Sequence, residues 1–246
     1  MRFTTQIQIR SAFETGPDGS LHHANVVRIA LQAGYLVTDA LGMTADFFAA
    51  NGTTIILRGV HVEFESLTRD NEMLTLTTWL TNVRRFRGLR QLQLTSAEDG
   101  RTIANMRLDW VYLNLKTLAP ARFAPEMLTR SGDETEGACK QDWTIGVLMG
   151  EPHATTRVVQ HHEIDLNKHV NTAIYVEWLE QAWCEATGQT PAILAGHHIE
   201  FLRSAVVGDG VIIETQPCGP NLWQQEIKHI TTNDVLVTNV CASTLA

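Results

Sequence analysis

DLNKHVNTAIYVEWLEQA, residues 165–182, joins a polar loop directly to an apolar run. Asp165, Asn167, His169 and Asn171 stand at alternate positions, and Ala173, Ile174, Val176, Trp178 and Leu179 follow at helical spacing. That spacing predicts a turn leading into a buried helix that ends near Gly188. An acid, an amide and an imidazole are therefore gathered at the mouth of a helix. Two readings compete at this point. One is a site for chemistry, and the other is an elaborate cap, because Asp and Asn are ordinary residues before a helix.

Around this stretch the chain is written twice. VVQHHEI, 158–164, reads as a strand before the loop, and strand-like runs follow the helix to the C-terminus. In the first half FTTQIQIRSAF, 3–13, reads as a strand and GPDGS as a turn. His22–Leu41 carries apolar residues on nearly every face, which predicts a buried helix stopped at Gly42. Strand-like runs at 53–67, 72–86, 88–97 and 101–116 then follow, separated by DN, RG and EDG turns. RGVHVEFESL (58–67) lies in register over AGHHIEFLRS (195–204), with Glu63-Phe64 above Glu200-Phe201. A looser alignment sets Asp18 over Asp165 and His22 over His169. Duplication at this scale means two like domains, not a solenoid. The expected division is 1–123, a polar linker at 124–150 containing RSGDETEGACKQD, and 151–246. The expected class is α+β, each half an antiparallel sheet curled around a long helix.

With 246 residues and 44% apolar content the chain has ample material for such cores. A formal charge of -8 argues against nucleic acid as a general partner. MRFTTQIQIR lacks the apolar region of a secretory signal. No run approaches the roughly 18–20 apolar residues that span a bilayer. The expectation is a soluble, cytoplasmic protein. Cys139, Cys184, Cys218 and Cys241 form no CxxC pair, so free and mostly buried thiols are expected rather than a thiolate metal site.

Doubled in this way, strand, buried helix and curled sheet resemble the tandem hot-dog arrangement. DLNKHVNTAIYVEW resembles the signature of the plastid and bacterial acyl-acyl carrier protein thioesterases, Asp-x-Asn-x-His-x-Asn at the entrance to the second-half helix. RGVHVEFES and LTTWLTNVRRFRGLRQLQL resemble that family's first-half sheet, and WVYLNLKTLAPARFAPEM its last first-half strand. The resemblance implies a hydrolase of fatty acyl thioesters, with acyl carrier protein as the preferred carrier and coenzyme A second. It implies no cofactor and no metal. A doubled hot dog is compatible with a monomer or a homodimer. One departure stands out. Where the family has a carboxylate often followed by Cys, this chain has Ser204 and Ala205.

Thioester hydrolysis needs a water aimed at the carbonyl carbon and donors for the oxygen that becomes negative. Asp165 could orient that water or act as general base, Asn167 could hold the water or the carbonyl, and His169 could take or position the proton. Free N–H groups near 169–173 would serve the developing oxyanion. Ser204 paired with His169 is a nucleophilic alternative. Asp18 and His22 read as relics of duplication. Ala30, Ala33, Gly34, Val37 and Leu41 would line an acyl tunnel, or else form plain core. Arg84, Arg85, Arg87 and Arg90 cluster on a predicted hairpin, fit for phosphate or an acidic carrier, or else a solvated sheet edge. HHE at 161–163 and His197-His198 suggest metal only weakly, since adjacent strand residues face opposite sides. Two rival functions remain on this fold: a non-catalytic acyl-thioester binder, and a dehydratase or hydratase.

Overall fold

The computed structural model describes residues 1–16, 19–123, 127, 134–191 and 194–243. Asp18 and most of the 124–133 stretch of the expected linker lie outside the described residues. The chain divides into two units, Met1–Leu21 with Val26–Lys140, and His22–Asn25 with Gln141–Ala246.

In the first unit, strand β1 (Phe3–Gln8) precedes a short helix α1 (Ser11–Glu14) and the long helix α2 (His23–Ala40), whose opening residues belong to the second unit. A one-and-a-half-turn helix α3 (Ala45–Ala50), capped by Thr44, follows, a feature with no counterpart among the sequence expectations. Strands β2 (Thr53–Phe64), β3 (Met73–Arg84), β4 (Arg87–Ser96) and β5 (Thr102–Asn114) complete an antiparallel sheet in the order β1-β3-β4-β5-β2. Along the inner face Leu74, Leu76, Leu92, Leu94, Met106 and Leu108 are buried almost completely. Each such side chain contributes about 1.5–3 kcal/mol of transfer free energy.

Helix α2 is not buried all round. Ala30, Ala33 and Val37 face inward, but Tyr35 and Leu36 are largely exposed, so the helix packs on one stripe. Gly42, at φ 73, terminates it in the left-handed region where glycine carries no steric cost.

The second unit repeats the plan. Strand β6 (His153–Val158) leads through a 3-10 turn at His161–Glu163 to helix α4 (Thr172–Thr187), then strands β7 (Leu194–Phe201), β8 (Gly210–Gly219), β9 (Leu222–His229) and β10 (Val235–Ser243). Their order is β7-β10-β9-β8-β6, which is the first unit's order read from the other end. The sequence duplication is thus a duplication of topology. VVQHHEI is strand only as far as Val158. Glu163 pulls the next residues into the 3-10 turn by accepting from the Gln160 N–H at 2.7 Å. Helix α4 buries Tyr175, Val176, Trp178, Leu179, Ala182 and Trp183, and ends on Gly188 at φ 69, whose N–H donates to the Cys184 carbonyl.

Candidate active site

Loop 165–171 is closed on itself. The Asp165 N–H donates to the His169 carbonyl at 2.8 Å, and the Lys168 N–H to the Asp165 carbonyl at 3.0 Å. Lys168 turns the corner at φ 63. The Asp165 carboxylate serves the loop interior: Oδ1 accepts from the backbone N–H groups of Asn167 (2.8 Å) and His169 (3.3 Å), and Oδ2 from the Asn167 side-chain amide (3.3 Å). The helix cap is a different residue. Asn171 accepts from the Ala173 N–H at 3.0 Å, so capping requires neither Asp165 nor His169. Asp165 is half-buried, while Asn167 and His169 are exposed.

Most donors expected at the helix mouth are already committed. Val170 N–H donates to the Ala205 carbonyl, Asn171 N–H to the Glu163 carbonyl, and His169 and Ala173 N–H to side chains. Among the described residues, Thr172 N–H alone in this run has no acceptor, as befits a first helical position.

Three residues fix the loop that the motif did not flag. Glu163 accepts from Trp178 Nε1 at 3.0 Å and, through its carbonyl, from the Asn171 N–H at 2.9 Å, tying the loop to the helix. Tyr175, one helical turn in, accepts the Ala205 N–H at 2.9 Å. Burial, opposed by that N–H and reinforced by the charges of Asp209 and Asp165, pushes the Tyr175 phenol up to about 12. A Glu before the loop and a Tyr and Trp three residues apart on the helix were the available signals. Ser204 is exposed, and among the described residues no hydrogen bond joins it to His169. Ala205 is fully buried, and its two backbone groups are what the site uses.

A second polar group lies inside the second unit. His23 Nδ1 lies 2.7 Å from Glu180 Oε1 and 3.3 Å from His197 Nε2, all three residues buried. Gln225 Nε2 donates to the Leu179 carbonyl at 2.8 Å, which fixes Gln225 Oε1 as acceptor for Asn239 Nδ2 at 2.9 Å. Asn239 Nδ2 also lies 3.2 Å from His197 Nδ1. Three ligand-type atoms within 4.8 Å could hold a metal ion. Burial would raise the Glu180 carboxyl, but the facing His23, His197 and His22 outweigh it and hold it below its ordinary value. A similar first-unit group, His61, Glu63 and Cys139, holds a neutral thiol, since burial and the Glu63 charge push Cys139 up to about 12. Thus His197 does face a polar cluster, but its partners come from two helices and not from neighbouring histidines.

The arginine cluster separates in the structure. The chain turns at Arg85 and Phe86, leaving Arg84 and Arg85 exposed. Arg87 grips Asp109, with Nε 2.6 Å from Oδ1 and a second guanidinium contact to Oδ2. Arg90 points inward and is buried, so it is not part of any surface patch. Exposed Arg122 lies beside the turn, because the Phe123 N–H donates to the Arg85 carbonyl.

Two family models match the chain. Residues 16–130 match the thioesterase-like superfamily, and residues 149–242 match the acyl-ACP thioesterase C-terminal domain. No curated protein sequence matches. Among solved structures, an acyl-ACP thioesterase from Bacteroides thetaiotaomicron superposes with a TM-score of 0.88 at 19% identity, covering 99% of this chain and 98% of that one. A 12:0-ACP thioesterase from Umbellularia californica superposes with a TM-score of 0.84 at 16% identity, covering 99% and 97%. At such identities the superpositions establish the fold, a double hot dog. Both halves of the chain are therefore of thioesterase type, and the protein is a hydrolase of fatty acyl thioesters. Its second half is similar to the acyl-ACP thioesterases and its first half to the wider thioesterase-like superfamily. Among the described residues no helix is long and apolar enough to cross a membrane.

Proposed function

We propose that Asp165, Asn167 and His169 carry the hydrolysis. Water attacks the thioester carbonyl carbon, and Asp165, with His169 beside it, takes the proton that the water loses. The oxyanion is met by Thr172 N–H at the positive end of α4, and collapse breaks the C–S bond. The departing thiolate needs little acid help, and the proton held by the Asp165–His169 pair returns to it. One observation supports this reading above the others. Asn171 supplies the helix cap, so the Asp165 carboxylate stands at the helix mouth, in one loop with His169, with no capping task to explain it.

The first half, residues 1–123, takes the acyl chain against the stripe of Ala30, Ala33, Gly34 and Val37. The second half, 151–246, performs the chemistry, and 124–150 links them. Acyl carrier protein is the preferred carrier and coenzyme A the second, with Arg84 and Arg85 as the charges suited to an acidic carrier and its phosphate. The enzyme works as a monomer or homodimer in the cytoplasm, a compartment that suits its four free thiols. Thiol release from acyl-carrier-protein and coenzyme A thioesters of graded length tests the whole reading. Turnover with the carrier thioesters, abolished in Asp165→Asn, is expected. Binding without turnover by the wild type would overturn it.

A further inference from the structure

On β4 the residues Gly88, Arg90, Leu92 and Leu94 share the face turned toward α2, which places a guanidinium in an otherwise apolar layer. Arg90 is 5% exposed. It stands opposite Leu80 on β3 and Leu108 on β5. Helix α2 presents Gly34 to its stem, where an added Cβ would lie 3.6 Å from Arg90 Cδ. Its polar contact is Thr78 Oγ1, 3.4 Å from Nη1, at the limit of a hydrogen bond. Among the described residues no carboxylate pairs with it. Burial pulls its pKa down to about 10, which still leaves it charged at neutral pH.

Trp110, on the neighbouring strand β5, faces the same layer opposite Gly88. Its Nε1 is buried without an acceptor among the described residues. Its ring meets Tyr35 edge-on, with centroids 6.3 Å apart. Two donors without adequate acceptors thus approach one turn of α2, Gly34–Tyr35, from adjacent strands. Buried donors are nearly always satisfied, and a buried cation without a counter-charge is among the costlier arrangements a core can hold. Such a pair fits a ligand that brings the missing oxygens.

We propose that Arg90 and Trp110 form a subsite for an acceptor oxygen on the acyl chain, best filled by a carboxylate, so that this thioesterase favours acyl thioesters bearing a second carboxyl group. A guanidinium fork matches the two oxygens of a carboxylate, and the indole N–H supplies a third donor. The inference rests on the first half taking the acyl chain. A carrier phosphate offers similar chemistry but is tied to a folded protein and meets the exposed Arg84 and Arg85. A chain tail is what reaches a layer walled by Leu80, Leu92 and Leu108.

The test compares the intact wild type, Arg90→Met and Arg90→Lys on carrier thioesters of matched length, saturated or ω-carboxylated. Binding of non-hydrolysable thioether analogues of both is measured in parallel, with phosphopantetheine alone as the phosphate control. The wild type is expected to favour the ω-carboxyl chain by at least about tenfold in kcat/KM and in binding. Arg90→Met should reverse that preference, and Arg90→Lys should keep part of it. Without ligand, Arg90→Met should melt at or above the wild-type temperature, because an uncompensated cation has been removed. Equal ratios in wild type and Arg90→Met, or a lower melting temperature with an unchanged ratio, would reduce Arg90 to a structural residue. Phosphopantetheine binding that depends on Arg90 would reassign the subsite and overturn the proposal. If no thioester is cleaved, the hydrolytic reading fails, while the thioether binding still decides the role of Arg90.

Discussion

Replacing Tyr175 by Phe would isolate the link that holds the site against its sheet. The phenol oxygen accepts the Ala205 N–H at 2.9 Å, and the Ala205 carbonyl accepts the Val170 N–H at 3.0 Å, so one hydroxyl anchors the segment after β7 on which loop 165–171 leans. Phe keeps the ring contacts with Trp178 and Phe201, at centroid separations of 5.4 and 6.0 Å, and removes only the oxygen. Ala205 is fully buried, so its N–H would be left desolvated and unpaired. That costs about 1–3 kcal/mol. At about 2–4 °C per kcal/mol for a chain of this size, a loss near the middle of that range lowers Tm by about 4–8 °C. A shift of the loop by about 1 Å would lower kcat by up to about 100-fold. Because burial pushes the phenol up to about 12, it remains protonated through the working range, and the shape of the pH–rate profile should not change. Calorimetry and thiol-release kinetics on one preparation give both numbers. A variant that melts and turns over like the wild type would refute the anchoring role. A changed profile shape would show that Tyr175 titrates in the reaction instead of positioning it.

Asp165→Asn and Asp165→Ala should both lower kcat by about 10²–10⁴-fold, yet Ala, losing every loop contact, should cost more stability than Asn. Rate losses that simply track the melting temperatures would mean the carboxylate is a loop fastener only. Asn171→Ala removes the cap on the Ala173 N–H and should cost about 1 kcal/mol, measured by urea denaturation. Glu180→Gln breaks the buried contact with His23 and should cost about 3–5 kcal/mol at neutral pH. Since the folded protein holds this carboxyl below its ordinary 4.5, the wild-type advantage is full above that pH and disappears as pH falls through the lower folded value. An advantage unchanged by acid would contradict the ion-pair assignment.

The sequence revealed most where local pattern and tertiary role coincide. The helix after DLNKHVN, its Gly188 stop and the doubled strand–helix–meander order follow from spacing and turn chemistry. The register of Glu63-Phe64 over Glu200-Phe201 foreshadowed the shared strand order of the two sheets. What periodicity could not show is where a polar side chain finds its partner across the fold. Glu163 looked like the end of a strand until its bond to Trp178, fifteen residues on, made it a brace. Arg90 looked like one more surface arginine, because alternation along β4 assigns it to a face without showing that the face is buried. His23, Glu180 and His197 come from three elements, and no spacing within any of them announces the cluster. Helix α2 seemed buried all round because its exposed face carries Tyr35 and Leu36, which sequence alone does not distinguish from core.

The two units have the same strand order, yet the sequence ahead of one long helix reads DLNKHVN and that ahead of the other PDGSLHH. When a single hot dog assembles from two copies of one chain, every substitution appears twice, and a change that helps one copy burdens its twin. Fusing the copies ends that constraint. Arg90 can enter one half without a matching charge in the other, and Glu180 can sit on one helix alone. Each half is then free to drift under its own selection, so that the first can change while loop 165–171 of the second stays as it is.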